Sequence, residues 1–237
     1  MNNVGVVTGA DRGLGRAVAA NLLGRGWTVI AGQYLKDWNL LDKLQKDYPD
    51  RLKIVPMDVS DTVSMRAAAK ETALLTDHVD IIVCNAALMS PPGEKMSEGY
   101  YEHIVRTFNT NALGELRTAE FFLPLMKAGM KRLCFISTEA GSIIRMWRDG
   151  GYAYSISKTA LNMGVRIMFN DLYRDGFTFR LYHPGHMMHT NPDGTYEKGA
   201  DFPPEDSAAV AVPWFIHDRD DEARLVMIDY LGNEWPY

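Results

Sequence analysis

What most constrains the fold of this chain is a rhythm of short, continuously apolar runs separated by longer amphipathic stretches. Residues 4–7, 28–31, 52–55, 79–84, 133–137, 178–182 and 224–228 read as strands. Several show no polar–apolar alternation, which suits strands covered on both faces. Between them, Leu14, Val18 and Leu22 recur every four residues until Gly24 and Gly26 stop a first helix. Trp38, Leu41 and Leu44 mark a second helix. Ser60 is placed to cap a third that opens with Asp61, and longer helices are predicted at about 98–127 and 154–174. Strand–helix alternation with crossovers of this length predicts a doubly wound α/β fold, a parallel sheet with helices on both faces.

A length of 237 residues suits one large α/β domain, and 46% hydrophobic residues supply its core. No repeat or Pro/Gly/Ser linker divides the chain, so 1–237 is read as a single domain. Its one long irregular stretch, about 186–204, has the length of a functional loop. A net charge of -5 argues against a nucleic-acid surface, which needs a dense field of Lys and Arg. No segment approaches the roughly 18 consecutive apolar residues of a membrane span. The two cysteines, Cys84 and Cys134, lie inside apolar runs and read as core thiols. The chain opens on a strand-like stretch with no basic segment and long apolar run before it, so no leader is expected. The cytoplasm, or an equally reducing compartment, is the expected setting.

The first strand leads into Thr8-Gly9-Ala10-Asp11-Arg12-Gly13-Leu14-Gly15 and then a helix. Glycines at 9, 13 and 15 permit a tight turn and close approach of backbone to a pyrophosphate, which the helix N-terminus would bind. The end of the second strand should meet an adenosine ribose. The positions there, Gln33 and Tyr34, lack the acidic residue that would bind a 2′-hydroxyl and repel a 2′-phosphate. Arg12 can reach such a phosphate or stand in solvent. Together these favour NADP while leaving NAD open. Asp58, past the third strand, is placed to accept from the adenine amino group with Val59 against the ring, or else to cap the next helix. Tyr154 and Lys158 in Tyr154-Ser155-Ile156-Ser157-Lys158 are four apart and share a helix face. Carbonyl reduction needs a proton donor as hydride arrives, and a neighbouring ammonium lowers a phenol's pKa towards that task.

TGADRGLG, CNAA (84–87), Asn111, STEAGS (137–142), YSISK and HPG (183–185) fall in the order and approximate spacing of the short-chain dehydrogenase/reductase family. The resemblance spans essentially the whole chain. YSISKTALNM, HPGHMM and IDYLGNEWPY are most similar to the branch containing the C-factor protein and the carbonyl reductase called sniffer. The resemblance implies a Rossmann-type doubly wound fold with a seven-stranded parallel sheet, and an Asn–Ser–Tyr–Lys tetrad. Tyr154 would be the general acid/base. Lys158 would tune it and hold the cofactor ribose. Asn111, rather than Asn109, would hold a water leading from Lys158 to solvent. The serine position is Thr138, with Ser137 as fallback. Asn85, Ala86 and Ala87 would border the cofactor, Ala87 standing where the family has glycine. Pro184, Gly185 and Met187 would place the nicotinamide. A threonine usual nearby is replaced by His189, with Thr190 one later.

His183, His186 and His189 are spaced by three, but Pro184-Gly185 breaks any helix that would align them, so no metal is expected. Segments 88–99, 141–151 and 186–204 should border the substrate. They supply Met89, Met146, Trp147, Met187 and Met188 as flexible apolar walls. Arg145 and Arg148 either attract an acidic substrate, or stand in solvent or pair with a neighbouring helix. The leading reading is NADPH-dependent reduction of a small apolar carbonyl compound. A cofactor-binding signalling or sensor protein with little turnover is the alternative, on the departures at Ala87, Thr138 and His189. An epimerase or dehydratase comes third. The resemblance also implies a homo-oligomer, dimer or tetramer, joined through the two long helices.

Overall fold

The computed structural model describes residues 3–91, 93–96 and 100–237. Strands β1 (Val4–Val7), β2 (Thr28–Gln33), β3 (Leu52–Pro56), β4 (Ile81–Cys84), β5 (Arg132–Ile136), β6 (Thr178–His183), β7 (Met227–Asp229) and β8 (Glu234–Trp235) form one sheet in the order β3-β2-β1-β4-β5-β6-β7-β8. The first seven are parallel, and β8 returns antiparallel on β7. The sheet therefore has one strand more than the seven read from the sequence. Asp229 accepts from the amides of Leu231 and Asn233, and this tight turn folds the C-terminal tail back as β8. The seventh strand starts at Met227, later than the 224 expected.

Side chains alternate between two cores, as the pleat requires. Val7, Val29, Ala31, Ile81, Val83 and Tyr182 face α1 (Gly13–Gly24), α2 (Leu40–Asp47) and α7 (Pro204–Ile216). Val6, Ile30, Ile82, Cys84, Phe135 and Leu181 face α3 (Thr62–Leu75), α5 (Gly114–Met126) and α6 (Tyr152–Leu172). Apolar runs without alternation are thus strands with two buried faces. Strand order reverses between β1 and β4, and the ends of these strands open a crevice where ligands of such sheets bind.

Four helix expectations change. The third helix is capped by Asp61, whose carboxylate accepts from the amides of Val63 and Ser64, and not by Ser60. Trp38 precedes α2 instead of lying in it. The helix expected at 98–127 is interrupted: α4 (Tyr101–Phe108) runs into a π turn at Asn109–Leu113 before α5 begins, and residue 98 lies outside the described residues. The helix expected at 154–174 starts two residues earlier, at Tyr152, and ends at Leu172.

The C-terminal end of α7 is anchored by two fully buried arginines. Arg180 donates to the carbonyls of Trp214 and His217 and forks onto both oxygens of Glu222 at 2.5 and 2.6 Å. Arg132 donates to Phe215 and His217 carbonyls and to Asp218. Cations suit the negative end of a helix, and the anchor fixes α7, whose first residue Pro204 lines the crevice at its other end. Burial pushes the Glu222 carboxyl up, but its bonds to Arg180 and the Arg219 amide and the nearby guanidinium charges hold it below its ordinary value. A carboxylate lowered in this way stabilises the fold above its unfolded pKa and loses that contribution as pH falls through the folded one. Glu222→Gln should cost about 3 kcal/mol, since it leaves buried guanidinium charge uncompensated. In urea titrations the loss relative to the native chain should shrink as the pH is taken into the acid range.

Candidate active site

The turn after β1 is shaped by close backbone approach. Gly9 (φ +59°) leaves no space for a side chain, because a Cβ there would lie 2.9 Å from the Cα of Ala86. At Gly15 a Cβ would come 2.3 Å from the Gly9 carbonyl oxygen. Gly13 (φ +54°) faces open space on the crevice side. The Thr8 hydroxyl accepts from the amides of Asn85 and Ala86, and the Asn85 side chain donates back to the Thr8 and Gly9 carbonyls. Asn85 thus sews β4 to the glycine turn. The first turn of α1 carries no side-chain cap and no acidic residue, so its N–H groups and dipole are available to an anion.

The crevice has a volume of about 350 Å³. Gly9, Asp11, Arg12, Gly13, Leu14, Tyr34, Asp58, Val59, Asn85, Ala86, Ala87, Tyr154, Lys158, Pro184 and Met187 line it. The structure brings these residues together from six segments of the chain. Gly15 stands behind the turn, and Gln33 is not in the wall, its carbonyl being held by the Met57 amide. Asp11 is a brace: its carboxylate accepts from the amides of Tyr34 and Leu35 and fixes the end of β2. Asp58 accepts from both the amide and the hydroxyl of Ser60 through one oxygen. The Arg12 guanidinium lies over the Trp38 ring, 5.3 Å from its centroid, at the rim where β2 ends. Gly185 (φ +77°) is pressed against Tyr230 and Phe202 and turns the chain from β6 into the loop. A glycine cradle, an uncapped helix N-terminus and a rim arginine together fit a dinucleotide carrying an extra phosphate.

At the other end, Tyr154 and Lys158 stand on the first turns of α6. The Lys158 ammonium donates to the Ile136 carbonyl at 2.8 Å and lies 5.9 Å from the Tyr154 ring centroid. Asn111 is fully buried in the π turn. It accepts from the Leu88 amide (2.7 Å) and donates to the Leu88 carbonyl (2.8 Å) and the Ser157 hydroxyl (2.9 Å). An extra residue in a helix re-aims a side chain, and here the π turn presents Asn111 to α6 instead of leaving it midway along a regular helix. Ser137 turns away to Asn162 at 2.7 Å, whereas Thr138 faces the phenol.

Sequence reading missed Glu139. Its carboxylate accepts from the Thr138 hydroxyl, pairs with Arg148 and lies 3.8 Å from His183. Burial, followed by the Glu139 charge, pushes the Tyr154 phenol up to about 12, against smaller opposing pulls from Thr138 and Arg148. The expected lowering by Lys158 is not what this geometry shows: the ammonium is turned to the Ile136 carbonyl, and burial dominates. Arg148 is half-buried and paired with Glu139, and Arg145 lies over the Trp235 ring. Met89, Met187, Met188 and His189 border the crevice. Met146 and Trp147 do not. Met146 lines a separate shallow groove with Ile143, Ile156 and Met163, and Trp147 is exposed. His186 pairs with Asp201, and His183 packs between Tyr230 and Trp235, so the three histidines do not converge. Loop 186–204 is ordered by bridges Met187 to Phe202 and Thr190 to Tyr196.

Residues 3–199 match the family described as short chain dehydrogenase. This chain belongs to that family. It is therefore an NAD(P)-dependent oxidoreductase of Rossmann type. Among its relatives is C-signal of Myxococcus xanthus, 35% identical over 176 residues, which are 73% of this chain and 100% of C-signal. A Burkholderia multivorans protein of short-chain dehydrogenase/reductase type, solved with bound NADP, superposes over 100% of both chains with a TM-score of 0.86 and 27% identity. Sniffer, a carbonyl reductase of D. melanogaster, gives a TM-score of 0.86 over 100% of both chains at 21% identity, which speaks to the fold. The kinship to C-signal agrees with the branch suggested by YSISKTALNM, HPGHMM and IDYLGNEWPY.

The Glu139 charge adds to burial in raising the Tyr154 phenol, and its share can be measured. In Glu139→Gln the Tyr154 phenol should ionise at lower pH than in the native chain, because a negative charge beside it is gone. Tyrosinate absorbance against pH, with Tyr154→Phe subtracted to isolate the one phenol, reads the shift. An unchanged or higher value would mean that Glu139 does not act on Tyr154.

Proposed function

We propose that this chain reduces a small apolar carbonyl compound with NADPH, using Tyr154 as the proton donor. The observation carrying this reading is the single crevice that joins the Arg12 rim and glycine cradle at one end to Tyr154 and Lys158 at the other. The cofactor would supply the hydride. Its pyrophosphate would lie on the N–H groups at the start of α1, its 2′-phosphate against Arg12, and its nicotinamide near Pro184 and Met187. The Burkholderia structure with bound NADP supports the coenzyme.

Tyr154 holds its proton throughout the neutral range, as a donor to a developing alkoxide must. Thr138, whose proton goes to Glu139 and whose oxygen accepts from the Ala140 amide, keeps one lone pair for orienting the phenol or a bound oxygen. Lys158 supplies positive charge beside the phenol, and Asn111 fixes the segment between Leu88 and α6 on which the lysine sits. Met89, Met187 and Met188 give an adaptable apolar wall to the substrate. All 237 residues would act as one domain, working in the cytoplasm, where the buried thiols Cys84 and Cys134 stay reduced. Exposed Tyr101 and Val105 on α4, and Ile156, Met163 and Ile167 on α6, favour assembly into a homo-oligomer through these helices. No described helix is long and apolar enough to cross a membrane.

The test is NADPH oxidation against a panel of aldehydes, ketones and quinones. Tyr154→Phe should lower kcat by about 10²-fold or more while still binding cofactor. Arg12→Ala should raise KM for NADPH about tenfold and leave NADH little changed, the loss of a charge-assisted bond. Tight NADPH binding without turnover on any panel member would instead support the signalling reading, which the likeness to C-signal also favours.

A further inference from the structure

Trp38 lies in the loop that joins β2 to α2, and its half-buried indole belongs to neither core. Its place is nevertheless fixed by a closed set of hydrogen bonds. The Ala10 amide donates to the Gly32 carbonyl at 2.9 Å. The Asp11 carboxylate accepts from the amides of Tyr34 (3.0 Å) and Leu35 (2.9 Å), and the Leu35 carbonyl accepts from the Trp38 amide (3.1 Å). The glycine turn thus holds the loop, and the loop folds back to the residue next to Asp11. There the Arg12 guanidinium carbon lies over the indole, 5.3 Å from its centroid, within reach of a cation–π contact. Arg12 itself is exposed and lines the crevice. Among the described residues no ion pair or side-chain hydrogen bond engages its N–H donors, and Asp11 beside it commits both carboxylate oxygens to the loop amides. A guanidinium carries its donors in one plane, and an aromatic ring beneath it takes none of them. The contact therefore restrains a long side chain and leaves its fork available to an anion. Tyr34, the other aromatic residue of the loop, is exposed and holds no guanidinium among the described residues, so no second ring stands in for Trp38.

We propose that Trp38 is a specificity-determining residue for the coenzyme, the platform that holds Arg12 ready for the 2′-phosphate of NADP. It acts through Arg12 and touches no reacting atom. An arginine loose in solvent gives up rotamer freedom when it closes on a phosphate. Seated on Trp38, Arg12 has given up part of that freedom before the ligand arrives. A 2′-phosphate gains from this, because the guanidinium is what it binds. A 2′-hydroxyl in its place has no charge for the guanidinium to meet, so NAD gains nothing.

The inference rests on the NADPH reading, and its test needs no turnover. Titration calorimetry with NADP⁺ and with NAD⁺ compares the native chain with Arg12→Ala, Trp38→Leu, Trp38→Tyr and the double variant Arg12→Ala/Trp38→Leu. Trp38→Leu should weaken NADP⁺ binding about threefold, the scale of an exposed cation–π contact, and leave NAD⁺ binding at its native value. Trp38→Tyr keeps an aromatic face and should recover most of the loss. In the Arg12→Ala background, Trp38→Leu should bring no further loss of NADP⁺ affinity, since the ring then has nothing to hold. Equal weakening of both coenzymes would reduce Trp38 to a structural role, and additive losses in the double variant would show that it does not act through Arg12. Either result overturns the proposal. Should Trp38→Leu fold poorly, indole fluorescence of the native chain provides a second reading. Adenosine 2′,5′-bisphosphate should change the emission, because a phosphate then meets the charge seated over the ring, and it should not do so in Arg12→Ala. A native emission indifferent to the bisphosphate would contradict the proposal. If Arg12→Ala leaves the preference for NADP⁺ intact, the coenzyme reading fails and the platform has no purpose. If Arg12→Ala abolishes the preference and Trp38→Leu leaves it unchanged, this inference alone fails.

Discussion

Between Thr8 and Gly15 the backbone has to run within touching distance of the end of β4, and the rest of the site depends on that approach. A side chain on Gly9 would meet the Ala86 backbone, and one on Gly15 would meet the Gly9 carbonyl. With both absent, Asn85 and the Thr8 hydroxyl can lace β1 to β4 at the point where strand order reverses. The lacing opens the crevice on one side and delivers the free N–H groups of α1 to it on the other. Gly114 repeats the device farther along, where a Cβ would lie 2.8 Å from Val59, so that the π turn can press Asn111 inward.

On this frame the electrostatics of the site are set by burial more than by the familiar Tyr–Lys pairing. Tyr154 and Lys158 are both driven towards their neutral forms by burial. Beside the phenol stands a carboxyl that the sequence does not advertise, Glu139, whose charge adds to burial in keeping the phenol protonated. A second carboxyl, Glu115, is fully buried on α5. Two carboxyls in different surroundings thus have opposite charge states near neutrality, Glu139 ionised by Thr138 and Arg148, Glu115 protonated by burial.

Much of this was legible in the sequence. Strands such as Val4–Val7 and Ile81–Cys84 are apolar on both faces, and no other element of that length tolerates such a run. The glycines of the first turn and the Tyr154–Lys158 spacing carry their chemistry in the residue types themselves. The eighth strand was not legible, because Glu234–Trp235 is too short to show a period and depends on the turn at Asp229. Periodicity likewise does not separate a regular helix from one with a single inserted residue, so the π turn at Asn109–Leu113 was hidden. Met146 and Trp147 were misplaced because a segment near a crevice in sequence can still face outward. Glu115 did leave a trace: it interrupts an otherwise consistent buried stripe, and a charged residue at such a position calls for an explanation.

The central claim is direct hydride transfer from NADPH to a carbonyl carbon in the crevice between Arg12 and Tyr154. It is tested most directly with NADPH deuterated at the nicotinamide C4, one equivalent of enzyme, and mass analysis of the alcohol formed. The account predicts one deuterium at the carbinol carbon of the product, derived from one face of the cofactor only. Product without the label, or cofactor that keeps its label while the substrate changes, would contradict it and point to chemistry in which the cofactor is recycled.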